Sequence, residues 1–189
     1  YGGVKRELMS FDVAKRAVDF LIQMSGSRQH CEIDFFGGEP LLNWEVVKQT
    51  VEYIEQEAPK FNKIFKLTLT TNGMLLNQEK IDYVNEHKMS LVLSLDGRED
   101  VHNAMRPVAG SGANSYEYIA KNLVNAVKQR HGLEYYVRGT YTHKNLDFTK
   151  DVMAMSDLGF EHLSMEPVVG EDGDYVLREE DWPALEKEY

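Results

Sequence analysis

Residues Cys31–Asn43 read CEIDFFGGEPLLN. A β-prone run from Ile33 to Phe36 closes on Gly37-Gly38-Glu39-Pro40, and helical periodicity restarts near Trp44. Such a stretch predicts a strand, a tight loop and a following helix. The loop offers bare backbone and one carboxylate at a strand's carboxyl end, where α/β folds bind ligands.

Working outward, the same unit recurs. Ser10 opens a helix with Phe11, Ala14, Ala17, Val18, Leu21 and Ile22 on one face, and Ser25-Gly26 stops it. Glu32 to Phe36 is nearly all apolar, as expected of a strand covered on both sides. Asn43 caps a second helix that Pro59 ends. Further strands are expected at Ile64–Thr70, Leu91–Leu95, Tyr135–Thr142 and Glu161–Met165. Helices from Asn77, Ser115 and Asp147 lie between them. Strands alternating with helices, without hairpin signals, imply a parallel sheet. Its loops at the strands' carboxyl ends hold the candidate chemistry: Gly37–Leu41, Thr70–Gly73, Ser94–Gly97, Arg138–Thr142 and Glu166-Pro167.

Bulk properties exclude several classes. At 189 residues the chain suits one domain, and 31 acids against 21 bases give a net charge of −10, which argues against nucleic-acid binding. No apolar run approaches membrane-spanning length and no signal peptide opens the chain, so the expectation is a cytoplasmic protein with no membrane partner. One cysteine rules out a disulfide framework, and Cys31 reads as a buried structural thiol. The six histidines are scattered without ligand spacing, so no metal ligands are assigned. No Walker pattern or nucleophile–base constellation is present.

In the first loop, Gly37 and Gly38 free backbone groups for a ligand, Glu39 offers an acceptor to an ammonium or a pair of hydroxyls, and Pro40 fixes the exit angle. A plain tight turn is the alternative. Thr70, Thr71 and Asn72 supply hydrogen bonds or merely a turn. Alternation sends Ser94 and Asp96 to one face, as ligand groups or as an ordinary Asp-Gly turn. Arg138, in an otherwise β-prone strand, reads as a carboxylate grip or as an ion pair with Glu39, Asp96 or Glu166. His102 and Arg106 are spaced for one helical turn.

Five stretches, in this order, resemble the radical S-adenosylmethionine (SAM) superfamily: Phe36–Leu41, Thr70–Gly73, Ser94–Gly97, His102–Arg106 and Gly112–Tyr116. The last three are similar to its SPASM branch of sulfatase-maturing and peptide-maturing enzymes. Arg6 to Phe11, Asp34-Phe35-Phe36, Asn43-Trp44 and Arg138 to Thr142 are most similar to the maturases of six-cysteine (SCIFF) peptides. The resemblance implies an α/β fold, a partial (β/α)6 TIM-like barrel of parallel strands, over residues 1–167. Residues 168–189 are then a linker or the start of a SPASM-type domain.

It also implies that Gly37, Gly38, Glu39 and Pro40, with Thr71, Asn72, Ser94, Asp96 and Arg138, bind SAM. Glu39 and the glycines would hold its amino group, and Ser94 and Arg138 its ribose or carboxylate end. The family's C-x-x-x-C-x-x-C set for a [4Fe–4S] cluster is absent, and the resemblance places it upstream of Tyr1. Auxiliary [4Fe–4S] clusters would belong to the C-terminal domain. Asn103 stands where many relatives have Asp. The implied reaction is reductive SAM cleavage followed by hydrogen abstraction from a Cys-rich precursor peptide, fed by flavodoxin or ferredoxin, in an oxygen-poor cytoplasm. Thioether formation is the leading expectation, with a sulfatase-maturating type as the alternative. This stretch of chain alone would be inert. A non-catalytic barrel binding a small zwitterion or a partner is the alternative from another class.

Overall fold

The computed structural model describes residues 7–108, 110–171 and 173–189. Arg6 and Tyr1-Gly2-Gly3 therefore lie outside the described residues. Five parallel strands, β1 (His30–Phe35), β2 (Ile64–Thr71), β3 (Ser90–Ser94), β4 (Tyr135–Tyr141) and β5 (Leu163–Pro167), stand in chain order in one open sheet. Each lies within two residues of its expected limits. Helix α1 (Phe11–Met24) precedes β1, and α2 (Trp44–Glu57), α3 (Gln78–Glu86), the pair α4 (Glu99–Met105) and α5 (Tyr116–Lys128), and α6 (Thr149–Asp157) fill the connections. No helix among the described residues is long and apolar enough to cross a membrane.

Parallel register keeps partners on one face, so residue parity sorts the sheet. Odd-numbered Leu67, Leu69, Leu91, Leu93 and Val137 are buried in the main core with Val51, Ile54, Ile81, Val84 and Leu123 of the helices. Even-numbered Glu32, Asp34, Thr70, Ser94, Arg138 and Glu166 lie on the other face, exposed or half-buried. This corrects the expectation of a first strand covered on both sides. Helices cover only one face, and Glu32 and Asp34 of β1 meet solvent.

Some caps differ from expectation. Asn77 caps α3, its Oδ1 accepting from Lys80 N at 3.1 Å. Asn43 caps nothing; its Nδ2 donates to the Met9 carbonyl at 2.8 Å, tying the entry of α1 to that of α2. Ser115 does begin α5, but the capping acceptor is Asn103 of α4. Its Oδ1 accepts from the N–H groups of Ser115 and Tyr116 at 2.9 and 3.0 Å. An Asn suffices for that task.

The weakly periodic acidic tail is ordered. Helix α7 (Trp182–Glu188) buries Leu185 against Tyr141 and Phe148, whose rings stack at 4.6 Å. The Tyr141 and Tyr189 hydroxyls meet at 2.7 Å, and His143 Nδ1 lies 2.9 Å from both Asp181 oxygens.

Arg98 fastens the start of α6. It donates to both oxygens of Asp147, at 2.7 and 3.1 Å, and to the fully buried Asp151 at 2.8 Å. Hydrogen bonding to Arg98, then to Lys150, lowers the Asp147 pKa to about 2. A carboxylate depressed in the folded state contributes stability above its unfolded pKa, and that contribution is lost as pH falls through the folded value. Asp147→Asn is therefore expected to flatten the stability loss between about pH 4 and about pH 2. Urea titrations across that window check it, and parallel curves for the two proteins would refute it.

Candidate active site

The glycine loop is held open from below. Gly37 has φ +140°, and a Cβ built at Gly37 or Gly38 meets no atom within 4 Å. Their backbone thus faces open space, which suits close approach by a ligand. Glu39 points the other way, into the chain. Its Oε1 accepts from Leu41 N at 3.0 Å and from Thr71 Oγ1 at 2.8 Å, and its Oε2 accepts from Asn72 N at 2.8 Å. The acid therefore stitches the loop after β1 to the loop after β2. Pro40 opens the short 3-10 turn Pro40–Asn43 that Glu39 caps.

Thr71 and Asn72 are brought to Glu39, and their side chains also shape their own turn. Thr71 Oγ1 accepts from Gly73 N at 3.1 Å and Asn72 Oδ1 from Met74 N at 2.9 Å. A cavity of about 510 Å³ opens beside β1, lined by Gly37, Gly38, Glu39 and Pro40 together with Asp34 and Phe36. Its remaining wall is largely apolar and comes from α1 and α2, from Ile33 and Phe35 on the helix side of β1, and from Glu7, Leu8 and Met9 ahead of α1.

Ser94 and Arg138 are register partners on the open face. Arg138 is half-exposed and its Nε lies 3.2 Å from Glu166 Oε1, so of the expected ion pairs the one with Glu166 forms. Half of the Arg138 side chain is exposed on this face, leaving room for an anionic ligand group. Asp96 is placed differently. Strand β3 ends at Ser94, and the buried Asp96 carboxylate takes Arg106 in a fork at 2.6 and 3.1 Å and the N–H of Thr140 at 3.1 Å. It joins the loops after β3 and β4, with its acceptors used inside the chain. His102 is fully buried beneath it, its Nδ1 accepting from Asp96 N at 3.3 Å, and burial lowers its pKa to about 4. It stays neutral and structural at ordinary pH.

Asp34 sits inside an apolar-looking run, which hides it as a site residue in the sequence. The signal was present as the alternation Cys31-Glu32-Ile33-Asp34. Its two oxygens lie 3.0 and 3.1 Å from the single hydroxyl of Thr70.

Two groups can be tested against these residues. A ligand with ammonium and carboxylate ends fits: bare backbone at Gly37-Gly38 faces the open side, and Arg138 with Ser94 shares the exposed sheet face. An iron–sulfur cluster does not fit. The single cysteine, Cys31, is buried on the helix side of β1, so this chain offers no thiolate set.

The profile of the radical SAM superfamily matches residues 2–153. An uncharacterized protein of Methanocaldococcus jannaschii is 25% identical over 143 residues, covering 76% of this chain and 47% of that protein. A cysteine-type anaerobic sulfatase-maturating enzyme of Clostridium perfringens is 35% identical over 78 residues, covering 41% of this chain and 21% of the enzyme. A radical SAM cyclopropyl synthase of Paramaledivibacter caminithermalis is 23% identical over 121 residues, covering 63% of this chain and 24% of the synthase. Among solved structures, native anSMEcpe with bound AdoMet and Kp18Cys peptide superposes with a TM-score of 0.82 at 22% identity. That match covers 94% of this chain and 50% of the other, so the chain spans about half the length of that enzyme. The likeness extends the five-stranded open sheet to an enzyme with a partial TIM-like barrel. On the match over residues 2–153, this chain belongs to the radical SAM superfamily.

Proposed function

We propose that residues 7–167 form the SAM-gripping core of a radical enzyme that modifies a peptide, of the sulfatase-maturating kind. The observation that carries this reading is the Gly37-Gly38 backbone turned to open space while Glu39 is bonded inward to Leu41, Thr71 and Asn72. The glycines would receive the amino end of SAM, and Arg138 and Ser94 its carboxylate end. SAM would be held by residues of this chain, and its pairing with a [4Fe–4S] cluster, for which this chain offers no thiolate set, would supply one-electron chemistry. The residues of this chain contribute grip, orientation and exclusion of water.

The sulfatase-maturating reading is favoured by the 35% identity to the Clostridium perfringens enzyme. A second reading, thioether formation in a Cys-rich peptide, is favoured by Asp34-Phe35-Phe36 and by Arg138 to Thr142, the stretches that resemble SCIFF maturases. Mass spectrometry of treated peptides separates the two, since a thioether and an oxidised side chain differ in mass.

For the grip itself, Arg138→Ala in the reconstituted full-length protein is expected to weaken SAM binding by about ten- to a hundredfold, the worth of a charge-assisted hydrogen-bond pair. Anaerobic equilibrium dialysis measures this. Unchanged affinity would remove Arg138 from the site. Absence of SAM binding by the wild-type protein would leave the non-catalytic barrel as the better reading.

A further inference from the structure

We propose that Glu166 is a positioning residue of this site: it holds the Arg138 guanidinium toward the carboxyl end of the sheet and away from Asp34. The proposal rests on the SAM-binding reading above and deepens it by saying what aims the arginine.

Arg138 has a fixed root and a loose arm. Its carbonyl accepts from Leu95 N at 3.0 Å, and two residues on, Thr140 N donates to the buried Asp96 at 3.1 Å. Between them Gly139 lies so close to the end of β3 that a Cβ there would stand 2.8 Å from the Leu95 carbonyl oxygen. The backbone beneath Arg138 is therefore held on both sides. Its side chain is a long stem, 48% exposed, whose direction is set by the charges within reach.

Two acids on the open face compete for it. Glu166 Oε1 lies 3.2 Å from Arg138 Nε. In register, Arg138 stands opposite Ser164 and Thr140 opposite Glu166, so the ion pair is diagonal. Glu166 sits one side-chain step, about 7 Å, nearer the carboxyl end. The contact thus draws the guanidinium toward the end of the sheet that carries Gly37-Gly38. Asp34 pulls the other way. It is in register with Thr68, which pairs with Ser90, four residues before the Ser94 that partners Arg138. Asp34 therefore marks a deeper level of the same face. Burial raises its pKa, while the Thr70 hydroxyl and then the Arg138 charge lower it, so the arginine is within electrostatic range.

Glu166 is also an anion beside an anion site. If repulsion were its whole effect, removing it would tighten SAM binding; if it aims Arg138, removing it weakens binding. The sign separates the two.

The test uses the reconstituted full-length protein, anaerobic and unreduced so that SAM stays intact, with equilibrium dialysis of SAM and of decarboxylated SAM. The second probe lacks the carboxylate that Arg138 would hold. Because the pair is half-exposed, its loss costs little stability and the variant folds. Glu166→Ala is expected to weaken SAM binding by about three- to tenfold, the worth of keeping one long side chain in place. Decarboxylated SAM should bind equally to Glu166→Ala and wild type, which a general loosening of the site would not give. Adding Asp34→Asn to Glu166→Ala removes the competing pull and should restore SAM affinity toward wild type. Unchanged or tighter SAM binding by Glu166→Ala overturns the assignment. So does an equal loss with decarboxylated SAM, or a loss that Asp34→Asn does not relieve. Wild-type SAM affinity in Arg138→Ala overturns the grip reading itself, and the assignment with it.

Discussion

Gly97→Ala should destabilise the protein by about 3–5 kcal/mol, combining overpacking with left-handed backbone strain. At φ +103°, Gly97 lies where L side chains are strained, and an added Cβ would stand 2.2 Å from Asp151 Cβ and 2.7 Å from its Cα. The neighbour cannot yield. Asp151 is fully buried, and its Oδ1 accepts from the N–H of Arg98 at 3.0 Å and from its Nε at 2.8 Å. Its Oδ2 accepts from Asn145 Nδ2 at 3.0 Å. Shifting it disturbs the loops after β3 and β4 together. Thermal unfolding should show a midpoint lowered by about 6–20 °C for a chain of this size. A shift near zero would mean that α6 slides outward without cost.

Glu39→Ala should cost about 3 kcal/mol, because the Leu41 and Asn72 N–H groups and the Thr71 hydroxyl lose one shared acceptor, part of the loss being made good by water. Glu39→Gln keeps one oxygen and turns an NH₂ toward a donor, so about half that cost is expected. Urea unfolding measures both. Hydrogen exchange adds a local check: the Asn72 amide should exchange faster in either variant. If instead Glu39 served only to meet an ammonium, both variants would keep wild-type stability and protection, and SAM affinity alone would drop.

Much of this was legible in the sequence because strands and helices announce themselves locally. The apolar periodicity of α1 and α2, the β-branched run of β2 and the glycine loop each depend on neighbours a few residues away. The remainder depends on contacts between distant segments. Asn103 reaches 12 residues forward to cap α5, and Glu39 finds donors 32 and 33 residues on. Neither partner can be read from spacing. The side of the sheet left open was written in the alternation of residues 31–34, but Phe35 and Phe36 masked it. The docking of α7 rests mainly on Leu185 within an acidic stretch, too little apolar signal to mark a packed helix.

The wet face has a consequence for assembly. Among the described residues β1 is paired on one side only, by β2. Its free side exposes backbone donors and acceptors that could recruit any passing strand. Glu32 and Asp34 work against self-recruitment: antiparallel pairing of two such edges would set carboxylates beside carboxylates. The border of the sheet thus repels its own kind and is open only to a strand of different composition.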